Sequence, residues 1–208
     1  MLLRRLASLL APPLCVACGC AAGELEPLCG PCRNALRWLG RSPAVAAGIE
    51  VWAPVAYDGP ARALVRSLKF GGLSRMAATM GSQMAANAPP GWLDSGALVP
   101  VPLHPARLRK RGYNQAERLA VELSARTALP VVDCLERSGE TATQVGRGRT
   151  ERLASTAGRV RVRSGATVPA EVVLVDDVAT TGATLAACAA ALAGARVRAV
   201  AYARTPGR

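Results

Sequence analysis

Val172-Val173-Leu174-Val175-Asp176-Asp177-Val178-Ala179-Thr180-Thr181-Gly182-Ala183-Thr184 is the stretch whose reading decides the fold. Its opening apolar run is long enough for a strand buried on both faces, which points to the middle of a parallel sheet. At the carboxyl end of that strand stand Asp176 and Asp177. Ligands of open α/β sheets bind beyond this edge. Burying an unpaired charge is costly, so both carboxylates are expected outside the core, solvated or engaged with hydroxyls or a cation. Ala179, Thr180, Thr181, Gly182, Ala183 and Thr184 then lead into a helix. Gly182 permits close backbone approach, and the first turn of a helix presents N–H groups that favour an anion. The three Thr hydroxyls add donors. An acidic pair beside an anion cradle suits a ribose phosphate, with acids for the ring hydroxyls and the loop for the phosphate.

Outward from this stretch the chain alternates strands and helices. Residues 51–57 read as a strand and 60–70 as an amphipathic helix with Pro60 in its first turn. A second helix fits 74–87, a short buried strand 97–102, and a third helix 115–128. Residues 130–137 are strand-like, 159–163 suggest a short strand, and 197–204 a final one. Residues 138–156, rich in Gly, Thr and Arg, read as a mobile loop. Such alternation implies a parallel sheet with helices on both faces.

The chain has 208 residues, room for one substantial core and a small appendage. Its formal net charge of +12 rests almost wholly on Arg, since Lys69 and Lys110 are the only lysines. That excess favours polyanions such as nucleotides, pyrophosphate esters or nucleic acid. No apolar run is long enough to cross a bilayer, so no membrane insertion is expected. Arg4 and Arg5 precede an apolar stretch, but Pro12 and Pro13 interrupt it and no small-x-small cleavage site follows. A short amphipathic helix and a cytoplasmic protein are the expectation.

Five of the seven cysteines fall between positions 15 and 32. Cys15-x2-Cys18 and Cys29-x2-Cys32 form two knuckles that can close a tetrahedron of thiolates around a structural Zn ion. Metal binding would supply folding energy to so small a module. Cys20 stands close by as a spare ligand. Cys134 and Cys188 lie in apolar contexts and read as core residues. The division expected is 1–40 for an N-terminal helix and zinc ribbon, a Pro/Gly/Ala-rich join at 40–48, and 49–208 for the α/β domain. A further cluster, Arg107, Arg109, Lys110 and Arg111, bunches in a turn between strand and helix. At the same sheet edge it would neutralise pyrophosphate.

The acidic pair and Thr-rich loop resemble the motif by which type I phosphoribosyltransferases bind 5-phosphoribosyl-1-pyrophosphate (PRPP). More of the chain resembles one branch of them, the ComF (competence-associated) family. The matching pieces are the N-terminal Cys pairs, residues 56–70, residues 99–120, the loop from Gln144 to Arg152, and the C-terminal motif through residue 204, in the family's order. Where family members carry Asn three residues after the Arg matching Arg152, this chain has Ser155.

The resemblance implies a type I phosphoribosyltransferase-like α/β fold, with a mainly parallel sheet flanked by helices and a small N-terminal zinc ribbon. Asp176 and Asp177 would be catalytic, and Ala179 to Thr184 would grip the 5-phosphate. Pro102, Leu103, His104 and Arg111 would hold the pyrophosphate. Gly112, Tyr113, Asn114 and Gln115 continue a family motif, and Thr143, Gln144 and Arg152 sit in a hood that closes over the ligand. Mg would accompany PRPP, and a nitrogen acceptor would take the phosphoribosyl group. A homodimer is compatible with this reading. The competing expectation is a DNA-uptake factor that binds single-stranded DNA and keeps the fold as a PRPP sensor or relic.

Overall fold

The computed structural model describes residues 13–23, 26–70, 74–138 and 160–206. In chain order the elements are α1 (Gly30–Asn34), β1 (Ala44–Ala46), β2 (Ile49–Trp52), β3 (Val55–Ala56), α2 (Gly59–Phe70), α3 (Ser74–Asn87) and β4 (Ala97–Pro100). There follow α4 (Pro105–Arg111), α5 (Gln115–Thr127), β5 (Leu135–Arg137), β6 (Val160–Val162), β7 (Glu171–Ala179), α6 (Ala183–Ala191) and β8 (Arg196–Arg204). The main sheet runs β1-β2-β8-β7-β4, with β3 also lying along β8. Its pairs are parallel except β1 with β2, so the sheet is mixed and mostly parallel, flanked by helices.

The buried strand read at 171–177 is the longer β7, and its alternation explains the two cores. Val173 and Val175 face one side, where Leu64, Met76, Met80, Leu119 and Leu123 of the helices α2, α3 and α5 pack against them. Val172 and Leu174 face the other, against Leu185 and Cys188 of α6 and Leu135 of β5. Both surfaces are therefore apolar, which is why the sequence shows a run rather than an alternation. By the same parity Asp177 belongs to the α2/α5 side and Asp176 to the α6 side.

Several boundaries differ from the sequence reading. The strand expected at 51–57 is broken into β2 and β3, which keep one register along β8. Pro54 sits in the break, and without an N–H it cannot extend the ladder. The join at 40–48 carries β1, which turns into β2 through Ala47 and Gly48, both with positive φ (50° and 80°). That geometry suits a two-residue hairpin. Residues 130–137 do not form one strand: Val131 makes a single bridge to Leu98, and β5 pairs instead with β6. The basic cluster at 107–111 lies wholly on α4 rather than in a turn. His104 Nδ1 accepts the Ala106 N–H at its start, and Gly112 (φ 81°) closes it.

The cysteine module packs onto the same body. Leu28 and Leu36 share the core of Trp52 and Leu64, and each such burial contributes about 2 kcal/mol. The bridge between Trp38 and Val55 fastens the exit of the module to β3.

Gly182 has φ +79°, and a Cβ built there would lie 2.7 Å from Ala46 O. The loop before α6 thus touches the β1 hairpin in a way only glycine allows. Gly182→Ala should lower the unfolding free energy by about 2 kcal/mol, read as a fall in urea midpoint. An unchanged midpoint would show that this close approach is not made.

Candidate functional site

A cavity of about 660 Å³ opens at the carboxyl ends of β4 and β7, with Asp176 and Asp177 in its lining. The two acids have different surroundings. Asp177 is only 3% exposed, which overturns the expectation that both carboxylates stay outside the core. Gln115 Nε2 donates to its Oδ1 at 3.4 Å. Lys69 Nζ lies 2.8 Å from its Oδ2. This second contact lacks hydrogen-bond angles and acts as an ion pair. Burial is tolerated because the charge is balanced. Asp176 is half-buried and accepts the Asp177 N–H on Oδ1 at 2.8 Å. Burial, and then the Asp177 charge beside it, push the Asp176 carboxyl well above the usual range.

The α4–α5 junction shapes one wall. Arg111 donates to Gln115 Oε1, so Gln115 bridges the guanidinium and Asp177. The Tyr113 hydroxyl donates to Leu68 O at the end of α2. Asn114 caps α5 by accepting the Ala116 N–H at 3.1 Å and donates to Val101 O at 3.0 Å. The motif at 111–115 therefore ties α2, β4, α5 and the acidic pair together. Pro102, Leu103, Arg111, Tyr113 and Gln115 all reach the cavity; His104, Gly112 and Asn114 cap helices beside it.

The cavity is strongly cationic. Lys69, Arg107, Lys110, Arg111 and Arg137 line it against the two acids, whereas Arg109 does not. Burial and then the nearby Arg107 charge lower the Arg137 pKa. Lys69 and Arg137 escaped the sequence reading. A Lys in the last turn of an amphipathic helix is ordinary, and only Asp177's need for a partner marks this one.

Across the cavity, Thr180 and Thr184 present the loop before α6 and the first turn of α6. The Ala183 N–H reaches Thr181 Oγ1 at 3.4 Å. Thr180 is shared with a second cavity of about 650 Å³, lined by Ala179, Thr181, Arg204 and the β1 hairpin. The acids and the helix start thus enclose a common space. Thr143, Gln144, Arg152 and Ser155 lie outside the described residues.

A separate site is built by the cysteines. The Sγ atoms of Cys15, Cys18, Cys29 and Cys32 all lie within 4.8 Å of one another. The Cys18 and Cys29 sulfurs are 3.6 Å apart, near the edge of about 3.8 Å for a tetrahedron with Zn–S bonds of about 2.3 Å. This set can hold a metal ion such as zinc, and Cys20 is not part of it. Burial opposes ionisation of Cys15, but backbone hydrogen bonds at Cys29, Ala17 and Cys18 outweigh it and lower the thiol to about 6. A hydrogen bond with Cys18, and then burial, hold Cys32 above the usual thiol range. A divalent metal held by this set would favour the thiolate form of Cys32 as well as that of Cys15. Cys134 and Cys188 are fully buried, as expected, and burial pushes Cys188 up to about 12.

Comparison with known proteins agrees with the resemblance. The chain is 40% identical over 87 residues to "Competence protein ComFC" of Streptococcus pneumoniae (strain ATCC BAA-255 / R6), 42% of this chain and 37% of that protein. It is 38% identical over 92 residues to "Competence protein F" of Haemophilus influenzae (strain ATCC 51907 / DSM 11121 / KW20 / Rd), 43% of this chain and 40% of the relative. These matches support membership of the ComF family. The chain spans about two fifths of the length of the curated relatives it matches. No family model matches it.

Lys69→Met would leave the buried Asp177 charge uncompensated. The expected loss is about 2 kcal/mol, less than for a fully buried pair because Lys69 keeps some solvent contact. Adding Asp177→Asn should recover most of it in urea unfolding. A double variant as unstable as the single one would contradict the charge-balance account.

Proposed function

We propose that the cavity binds PRPP with Mg and that the chain is a ComF-family phosphoribosyltransferase-like protein. The observation that carries this reading is the enclosure of two acids, a Thr-lined helix start and a cationic wall around one space at the sheet's carboxyl edge. In this reading Asp176 and Asp177 hold the ribose hydroxyls. The 5-phosphate sits on the residues from Ala179 to Thr184. The pyrophosphate faces Arg111 and its basic neighbours. Mg, when bound, would neutralise charge on the leaving pyrophosphate.

The reaction would be a displacement at C1 of the ribose. A nitrogen acceptor forms the new C–N bond while the C–O bond to pyrophosphate breaks. The electron pair leaves with pyrophosphate, and the acceptor nitrogen gives up its proton. Positive charge gathers on the ring in between, where the acidic pair would stabilise it. The division at 1–40 and 49–208 then gives a zinc-ribbon module, with a structural metal at Cys15, Cys18, Cys29 and Cys32, on a phosphoribosyltransferase-like unit.

A second reading has support of its own. Both relatives are named as competence proteins, and the net charge of +12 suits a polyanion. In this reading the chain has a competence-associated role, with single-stranded DNA or the DNA-uptake machinery as its partner. The two readings differ in what Asp177 does.

Calorimetry with Mg-PRPP separates them. Wild type should bind, Asp176→Asn/Asp177→Asn should lose at least tenfold in affinity, and adding a nitrogen acceptor should release pyrophosphate. Equal titration curves for both proteins remove the acids from the site. Single-stranded DNA binding that falls steeply with salt and ignores Asp177→Asn favours the second reading.

A further inference from the structure

The loop that bounds the acidic cavity has a second side. Ala179, Thr180 and Thr181 also line a separate cavity of about 650 Å³, completed by Arg204, Thr205 and the β1 hairpin. Among the described residues, Thr180 is the only one common to the two linings. The acids, the α4 cations and Arg137 all belong to the first cavity.

Arg204 is the one charge in the second lining. Strand pairing holds its backbone between Ala56 of β3 and Ala179 of β7. Its carbonyl accepts the Tyr57 N–H at 2.8 Å, and the Thr205 N–H donates to Ala179 O at 3.1 Å. The side chain is half-buried. Arg37, Arg126, Arg161, Arg163 and Arg196 each meet a carboxylate. Among the described residues Arg204 meets none, and its buried Nε has no hydrogen-bond partner. A buried donor without an acceptor is costly, so it marks a place where an acceptor from outside the chain is favoured. Thr180, Thr181 and Thr205 bring hydroxyls to the same space, and Ala44, Val45, Ala46 and Val51 give it a small aliphatic side. The described lining holds no carboxylate to receive an ammonium and no aromatic ring to stack a base.

We propose that this cavity is a second anion site, which takes a phosphate or carboxylate carried on a short aliphatic body. The oxyanion sits on the Arg204 fork and the Thr hydroxyls, and the aliphatic part lies against the β1 hairpin. The position makes its occupant an effector of the first cavity. Thr180 belongs to both linings, and Gly182 lies against Ala46 O, so the loop and the hairpin are in direct contact. Two anions on either side of one short loop repel, and such coupling is reciprocal, so each ligand weakens the binding of the other. The site stands without the phosphoribosyl reading, whereas the antagonism rests on it.

The test follows the backbone amide resonances of the full chain as butyl phosphate or butyrate is added. The probes should shift Ala44 to Ala47, Arg204 and Thr205 and leave Lys69 and Gln115 in place. The tighter of the two names the head group. Arg204→Met should weaken binding about tenfold, and Arg204→Lys, which keeps the charge without the fork, should weaken it less. Val45→Asp puts a like charge in the lining at an exposed position, where the fold tolerates it, and should also weaken binding. Shifts confined to the acidic cavity, no shifts at all, or equal binding by wild type, Arg204→Met and Val45→Asp would overturn the site. Ribose 5-phosphate should bind about fivefold more weakly to wild type saturated with butyl phosphate, and no more weakly to Arg204→Met under the same conditions. Equal affinity with and without butyl phosphate, or weakening that persists in Arg204→Met, overturns the antagonism. If ribose 5-phosphate binds neither protein while butyl phosphate still moves the hairpin, the phosphoribosyl reading falls and the second site stands.

Discussion

Asp177 lies buried at the end of a sheet strand, with Lys69 2.8 Å from one oxygen and Gln115 donating to the other. A carboxylate in that position has to be balanced, and the balance organises its surroundings. Lys69 fixes the end of α2, Gln115 begins α5, and Arg111 reaches Gln115 from the end of α4. Each element that walls the cavity on this side is thereby tied to one charge. The neighbouring Asp176 faces the other side of the sheet and carries the cost, its carboxyl held toward the neutral form by burial and by Asp177. A site with this tension gains from a ligand that brings hydroxyl donors or a cation to the pair.

The centre of the fold was legible because its physics is local. Apolar residues on both faces made β7 a continuous run, and the acids stand where that run breaks, two to three residues before the strand ends. The Thr-rich loop and its glycine followed in sequence, and the cysteine spacing placed four sulfurs together without help from the rest of the chain. What escaped notice depends on contacts distant in sequence. Lys69, Phe70 and Arg137 look like ordinary surface residues until the sheet brings them to one rim. The strand β1 was hidden in an Ala-rich stretch with no alternation to mark it. The basic cluster looked like a turn because Pro105 and Gly112 flank it, whereas they begin and close a short helix.

The two ends of the molecule are physically continuous. The cysteine module lends Cys15, Leu28 and Leu36 to the core that backs Asp177's helices. A metal that stiffens the module would therefore also brace α2, from whose end Lys69 and Phe70 reach the cavity. The cationic wall alone does not separate a small pyrophosphate ester from a strand of DNA, and it is the acidic floor that argues for a sugar.

A crystal structure of the chain with ribose 5-phosphate bound tests the account most directly. The phosphate should rest on the N–H groups and hydroxyls between Thr180 and Thr184, with the ring hydroxyls within hydrogen-bond distance of Asp176 and Asp177. Sugar phosphate seated elsewhere, or reversed with its phosphate on Arg111 and its hydroxyls away from both acids, would contradict it.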